Sequence, residues 1–350
     1  MKRVLEIAGS PHLTSGASVE RIMFHVALAL LPTSLFAIYV FGLAALITLL
    51  GAILACLATE HALCRLTGQP TTISDGSALV TGLLFGLVLP PALPLWMTVL
   101  GGVFAIAVGK FAFGGLGFNA FNPALVGRAF LMAAFPVAMT TWLAALAATR
   151  FNHLPASLLA APFMSPSAHD VDAMSSATPL SAWKFSGEAT SVTDLALGLT
   201  SGSSGETSAL LIGLGGVYLV ALRIVNWRIP AAIFATVGGI SAVLNTVDPA
   251  RFPDAGFMLL SGGLMLGAVF MATDLIASPL TRAGAWLYGA LIGALTLAIR
   301  LWAGLPEGVM YAILIGNALA PHIDRWLRPT PYGAGSKAVP VAAPDKGNPP

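Results

Sequence analysis

A cluster of hydroxyl residues lies in the segment DAMSSATPLS, residues 172–181. Its hydroxyl side chains are those of Ser175, Ser176, Thr178 and Ser181. Each hydroxyl oxygen can cap the N-terminus of a helix. From composition alone the cluster is a polar turn with N-cap residues before the segment LSAW, residues 180–183.

A second candidate site is GGLGFNAFNPALVG, residues 114–127. Asn122 followed by Pro123 is typical of an N-cap and first helical position, which leaves free backbone N–H groups beside a glycine-rich turn. Such a helix N-terminus can hold an anion such as a phosphate. The spacing is not G-x-G-x-x-G and no strand precedes it, which excludes a Rossmann nucleotide site. The alternative is a tight turn with a well-capped helix.

Ionisable residues also stand within or beside strongly apolar segments. Asp75, Asp274 and Arg128 are our candidates for lining an ion path or a cofactor site, because charged groups at such depths are costly and usually functional. Glu60, Lys110 and Arg300 are weaker candidates of the same kind. The alternative is that a residue at the end of an apolar segment extends its charged group to the membrane surface.

Other catalytic classes lack the residues they need. The sequence has no G-x-S-x-G and no H-E-x-x-H, so hydrolase and metalloprotease chemistry have no motif. Its two cysteines, Cys56 and Cys64, suit no common metal site and are predicted to be buried free thiols. The net charge of +2 gives no reason to expect nucleic acid as a partner.

The composition is that of a membrane protein. Of 350 residues, 57% are hydrophobic and only 9% are charged, and the mean hydropathy is +0.85. About 20 apolar residues are needed to cross ~30 Å of hydrocarbon as a helix. Windows of that kind predict an all-α polytopic protein with about ten transmembrane helices. They cover approximately 22–41, 44–63, 77–94, 95–112, 124–146, 208–222, 230–247, 257–275, 285–303 and 309–324.

Basic residues indicate the orientation. With the N-terminus in the cytoplasm, 13 of the 17 Lys and Arg residues lie on or near the cytoplasmic side, which agrees with the positive-inside rule. The exceptions are Arg150, Lys184, Arg251 and Arg300. The long polar loop at 147–207, with Thr178, is then predicted to be periplasmic, and the leader at 1–21 and a disordered tail at 325–350 to be cytoplasmic.

The ten windows divide into two sets of five, at 22–146 and 208–324. Because five is odd, the second set must run opposite to the first, which is the arrangement of an inverted-topology repeat. A weak echo supports the repeat, since NAFNP at 119–123 opens the fifth window and NALAP at 317–321 closes the tenth.

Five separated stretches together resemble one family along nearly the whole membrane portion. They are SDGSALVTGLLFGLVLPPALP, GGLGFNAFNPALVG, DAMSSATPLS, SGGLMLGAVFMATD and YAILIGNALAPHID. The resemblance is to the D subunit of the Rnf ion-translocating oxidoreductase complex and to its paralogue, the B subunit of the sodium-pumping NADH:quinone reductase. The short N-terminal segment favours the Rnf protein.

The resemblance implies a bacterial inner-membrane complex that couples electron transfer of the NADH and ferredoxin type to ion translocation. Family members carry FMN on a threonine of a motif like D-x-x-S-G-A-T, attached as a phosphoester by a dedicated flavin transferase. Here Asp172, Ser175, Ala177 and Thr178 match, and Ser176 stands in place of the glycine. Thr178 is therefore the expected attachment residue.

The resemblance further implies a second, non-covalent flavin, such as riboflavin or FMN, near the cytoplasmic ends of the helices. Asn119, Asn122 and Asp274 are the residues we expect there. The implied partners are the A, B, C, E and G subunits of the Rnf complex, the flavin transferase and the lipid bilayer. The family fold also resembles the five-plus-five architecture of urea and ammonium transporters, so a solute channel or secondary transporter without a redox role is the alternative function.

Overall fold

The computed structural model describes residues 18–162, 164, 176–206, 208–249 and 251–328, and all regular elements within them are helical. The first set contains α1 (Val19–Phe41), α2 (Leu43–Leu66), α3 (Ser77–Leu87), α4 (Leu95–Ala107), α5 (Pro123–Ala134) and α6 (Pro136–Met139). The connecting segment contains α7 (Pro179–Ser186) and α8 (Val192–Leu197). The second set contains α9 (Ala209–Ala221), α10 (Arg228–Val247), α11 (Ala255–Leu260), α12 (Leu264–Leu266), α13 (Arg282–Trp302) and α14 (Val309–Trp326).

Five helical segments of the described chain are long and apolar enough to cross a membrane. They are Val19–Phe41, Leu43–Leu66, Leu95–Phe113, Arg228–Val247 and Arg282–Trp302. The prediction of an all-α polytopic membrane protein is confirmed. The remaining windows hold shorter helices or, in the case of α14, a helix with a less apolar sequence. The count of ten spans stays a prediction.

Three of the predicted windows are not continuous helices. The window at 77–94 is helical only to Leu87, and in the window at 124–146 helix α5 ends at Ala134 and only the short α6 follows. Prolines follow both ends, and proline both lacks an N–H donor and disfavours a helical residue before it. The window at 257–275 breaks after Leu260, where Gly262 has a left-handed φ of 63°, and resumes as α12 and a π-helical turn at Gly267–Met271.

Long-range donors satisfy the backbone at these breaks. The N–H of Gly205 donates to the carbonyl of Leu87 at 2.6 Å, and that of Ser204 to the carbonyl of Leu89 at 3.2 Å. Arg300 donates to the carbonyls of Met258 at 2.6 Å and Ser261 at 2.8 Å. Non-helical backbone survives inside a membrane protein only when protein groups satisfy it. Residues of the connecting segment and of α13 are therefore fixed against the broken helices.

Glycines allow the closest helix contacts in both sets. A Cβ atom at Gly82 of α3 would lie 2.6 Å from Ile53 Cα of α2. In the second set, a Cβ atom at Gly289 of α13 would lie 2.6 Å from the carbonyl oxygen of Ile229 of α10. Small residues at such crossings let membrane helices approach closely and gain van der Waals contact.

The two sets use the same pattern of neighbours. In each set, the helix of the second predicted window packs on the helix of the fourth window, that is, α2 on α4 and α10 on α13. The helix of the fourth window also packs on that of the fifth, α4 on α5 and α13 on α14. Contacts of α1 with α9 and of α5 with α14 join the sets. This pattern agrees with a repeat, and the inverted orientation stays a prediction.

Two local predictions are confirmed. The Asn122 side chain caps α5 by accepting from the N–H groups of Ala124 at 3.0 Å and Leu125 at 3.4 Å. Cys56 and Cys64 are buried free thiols. Most of the predicted leader and all of the tail from residue 329 lie outside the described residues.

Candidate functional site

Thr178 is the N-cap of α7 and is 7% exposed. Its Oγ accepts from the N–H of Ser181 at 3.2 Å, and its hydroxyl donates to Ser181 Oγ at 2.9 Å. Pro179 is the first helical residue. Thr178 therefore presents a hydroxyl group at a helix N-terminus, where backbone N–H groups and the helix dipole favour negative charge.

The residues before Thr178 are tied to two other segments. The N–H of Ser176 donates to the carbonyl of Trp142 at 2.9 Å, and Ser201 Oγ donates to Ser176 Oγ at 2.9 Å. The hydroxyl of Ser176 thus fastens the motif to the segment before α9. The motif residues Asp172 and Ser175 lie outside the described residues.

Lys184 fastens α7 to the end of α13. Its Nζ donates to the carbonyls of Arg300 at 2.8 Å, Leu305 at 3.0 Å and Ala303. Partial burial lowers the pKa of Lys184, while three carbonyl acceptors favour its charged form. These contacts hold the helix that begins at Thr178 against the α13–α14 connection.

A cavity of about 390 Å³ opens beside Thr178. Small-molecule sites typically have volumes of about 300–1,000 Å³, so the cavity is large enough for a ligand. Its walls come from α5, the α7 segment, the α13–α14 connection and α14. The wall residues include Arg128, Met132, Thr140, Trp142, Ser176, Ala177, Thr178, Ser181, Glu206, Glu307 and Tyr311.

Three charged side chains meet at this cavity. Arg128 Nη2 lies 2.8 Å from Glu307 Oε2 and 3.7 Å from Glu206 Oε1, and these side chains are 6% to 16% exposed. Glu307 Oε1 also accepts from the N–H of Gly263 at 2.8 Å. A Cβ atom at Gly263 would meet Glu307 Oε1 and would lie 3.1 Å from Glu206 Oε1, so a larger residue there would displace the end of the Glu307 side chain. We call Arg128, Glu206 and Glu307 the charged triad.

A second cavity, of about 360 Å³, brings together Asn119, Asn122 and Asp274, the three residues predicted for a second flavin. Asn122 Nδ2 reaches the carbonyl of Met271 at 3.5 Å, which joins the start of α5 to the π-helical turn. Asn119 is 4% exposed, and its Oδ1 has no hydrogen-bond partner among the described residues. The cavity therefore offers a buried acceptor and a carboxylate in an otherwise largely apolar lining.

Lys110 connects this second cavity to a buried polar chain. Its Nζ donates to Glu60 Oε2 at 2.7 Å and to Ser77 Oγ at 2.6 Å. Asp75 in turn accepts from the N–H of Ser77 at 2.7 Å, which satisfies the first backbone N–H group of α3. Ser77 and Lys110 line the cavity, whereas Glu60 and Asp75 stand behind them.

The three residues predicted for an ion path do not share one cavity. Asp274 lines the second cavity, Asp75 supports its wall through Ser77, and Arg128 lines the cavity at Thr178. Helix α5 connects the two cavities, with Asn122 at its N-terminus and Arg128 six residues on, about 9 Å along the axis.

The sequence patterns single out Arg128 of the charged triad, but neither Glu206 nor Glu307. Glu307 stands between two apolar windows in the run GLPEGV. An acidic residue between two apolar windows is the one sequence signal that points to Glu307. Its partner Arg128 lies 179 residues away in the sequence, and its neighbour Glu206 lies in the connecting segment.

A comparison with protein families matches residues 6–333 to the NQR2, RnfD, RnfE family. The chain belongs to this family. That membership makes it a subunit of an ion-translocating oxidoreductase complex embedded in the membrane, and it confirms the resemblance found in the sequence.

The names of three individual relatives agree with this family match. The D subunit of the ion-translocating oxidoreductase complex of Stutzerimonas stutzeri is 42% identical over 93% of this chain and 96% of its own length. The D subunit of the proton-translocating ferredoxin:NAD(+) oxidoreductase complex of Clostridium ljungdahlii is 40% identical over 95% of this chain and 97% of its own. The Na(+)-translocating counterpart of Acetobacterium woodii is also 40% identical, over 94% and 95%.

Proposed function

We propose that this chain relays electrons within an Rnf-type complex through FMN held in phosphoester linkage to Thr178. The observation that carries the proposal is that the threonine of the family motif opens onto a cavity lined by Arg128, Glu206 and Glu307. A largely apolar cavity with charged side chains in its wall, next to a modifiable hydroxyl, suits a tethered redox group. A simple turn has no need of such a cavity.

The residues around Thr178 fit the group. Its Oγ would carry the phosphate, and the N–H and hydroxyl of Ser181 supply donors at the helix N-terminus. Arg128 supplies positive charge inside the cavity. Bound flavin supplies the electron-transfer chemistry, while the protein supplies position and electrostatics. Ser176 in place of the motif glycine keeps a small residue before Thr178.

The proposed orientation places both termini in the cytoplasm and the Thr178 segment in the periplasm of a bacterial inner membrane. It rests on the distribution of basic residues described above. The proposed partners are the A, B, C, E and G subunits of the complex, together with a flavin transferase that modifies Thr178 during maturation.

Flavin fluorescence after denaturing electrophoresis tests the covalent linkage. The chain is produced in cells that contain the flavin transferase, as wild type, Thr178→Ala and Thr140→Ala. Thr140 is a matched control because it is a second threonine that lines the same cavity. We expect fluorescent bands for wild type and Thr140→Ala and none for Thr178→Ala. A colourless wild-type band would reject the linkage.

A non-covalent flavin in the second cavity is the finer part of the proposal. The meeting of Asn119, Asn122 and Asp274 in one cavity supports it, since amide and carboxyl groups can recognise the polar edge of riboflavin or FMN. Flavin released by acid from the purified complex is expected to fall in Asn119→Ala and Asp274→Ala. Equal release from wild type and both variants would reject this site, whatever the result at Thr178.

The alternative function, a solute channel or transporter without a redox role, makes the opposite prediction. Liposomes containing the chain alone would then take up a small solute, and Thr178→Ala would transport as well as wild type. The names of the relatives favour electron transfer, because each describes part of an oxidoreductase complex.

A further inference from the structure

The two carboxyl groups of the charged triad lie side by side. Glu206 Oε1 and Glu307 Oε2 both approach Arg128 Nη2, at 3.7 Å and 2.8 Å, and a Cβ atom at Gly263 would meet an oxygen of each carboxyl group. Two buried carboxylates so close together repel each other, which disfavours the state in which both are ionised. Close pairs of acids commonly hold one shared proton for this reason.

The partners of each carboxyl group indicate which one is protonated. Glu307 accepts from Arg128 at 2.8 Å and from the N–H of Gly263 at 2.8 Å, and both donors stabilise a carboxylate. Glu206 Oε1 lies farther from Arg128, at 3.7 Å, and has no hydrogen-bond partner in the described part of the chain. The neutral form therefore belongs on Glu206.

We propose that Glu206 is a proton-binding site of the Thr178 cavity. Its carboxyl group is neutral beside the ionised carboxylate of Glu307, and it exchanges its proton with an acceptor in the cavity. On release the O–H bond of Glu206 breaks, and the proton passes to water or to another acceptor in the cavity. The resulting carboxylate faces Arg128, and uptake of a proton reverses the step. The step transfers no electron.

The charged groups around Glu206 are compatible with both its protonated and its ionised form. Arg128 approaches from α5 and Glu307 from the α13–α14 connection. Tyr311 of α14 lines the same cavity, and Arg300 of α13 lies beside Gly262 in the cavity wall. Arg300 gives two donors to the carbonyls of Met258 and Ser261 and makes no ion pair among the described residues. Its positive charge nonetheless compensates the carboxylate that forms when Glu206 releases its proton.

Infrared spectroscopy of the purified complex tests the protonation directly. Wild type is expected to show a protonated carboxyl C=O band that is lost in Glu206→Gln and kept in Glu188→Gln, an exposed acid of the same loop. Glu206→Asp should keep a band at a shifted position, which guards against a misfolded Gln variant. The assignment is overturned if the band survives in Glu206→Gln, or if Na⁺ abolishes it at constant ionic strength.

A second readout rests on the proposed function. If the flavin at Thr178 shares the cavity with Glu206, its midpoint potential should vary with pH in wild type and vary less in Glu206→Gln. An equal slope in both, with fluorescent bands present, would overturn proton exchange with the cavity. Missing fluorescence in wild type would instead reject the flavin linkage and leave the infrared test of Glu206 intact.

Discussion

Arg128 Nη2 and Glu307 Oε2 lie 2.8 Å apart across the joint between the two helix sets. Arg128 belongs to α5 of the first set, and Glu307 precedes α14 of the second. Helices α5 and α14 also pack on each other, so this ion pair adds a charged contact between the two sets beside the Thr178 cavity.

Removing one member of this pair is expected to destabilise the protein strongly. Arg128→Met leaves Glu307 and Glu206 without their close cation, and breaking a buried pair costs about 3–5 kcal/mol. Thermal unfolding of the detergent-solubilised protein, followed by tryptophan fluorescence, should show a clearly lower transition temperature. The double variant Arg128→Met/Glu307→Leu should recover part of the loss, and strict additivity of the two single effects would contradict a direct pair.

Lys184 is expected to hold α7 in place. In Lys184→Met the carbonyls of Arg300, Ala303 and Leu305 lose their shared donor. Amide hydrogen exchange in Pro179–Ser186 should become faster, while exchange in α2 stays unchanged. Glu188→Gln serves as the control, because Glu188 is an exposed residue just after the same helix. Unchanged exchange in α7 would show that its other contacts suffice.

A pair of glycines tests the close approach of α10 and α13. Gly289→Ala places a Cβ atom 2.6 Å from the carbonyl oxygen of Ile229, and overpacking of this kind typically costs about 1–3 kcal/mol. Gly239→Ala, in α10, meets no atom within 4 Å and should be neutral or slightly stabilising. Unfolding temperatures of the two variants compare them directly, and equal values would place the helices farther apart.

Asp75 and Asp274 are expected to affect coupling without affecting the Thr178 linkage. Asp75→Asn weakens the hydrogen bond to the first N–H group of α3, and Asp274→Asn removes a carboxyl group from the second cavity. Both variants should keep fluorescent bands on denaturing gels but should reduce ion transport driven by electron transfer in proteoliposomes. Wild-type coupling in both variants would remove the two residues from the proposed ion path.

Much of the fold follows from local sequence because a helix in a membrane satisfies its own backbone groups. Apolar windows place each long helix within a few residues, as α1 at Val19–Phe41 and α13 at Arg282–Trp302 illustrate. The cap at Asn122 is equally local, since its side chain accepts from the N–H groups of the residues that follow it. The hydroxyl cluster likewise predicts N-cap residues before LSAW, and Thr178 is the N-cap of α7.

The helix breaks and the charged triad depend on contacts between distant parts of the chain. The break after Leu87 needs the N–H donor of Gly205, and the break near Ser261 needs Arg300. Glu307 acquires its role only where folding brings it to Arg128, 179 residues away. Local patterns carry no information about such pairs, because ion pairing and burial depend on distance in space. For that reason the sequence specifies the helices and the candidate Thr178, whereas packing of the two sets creates the cavity and the charges beside it.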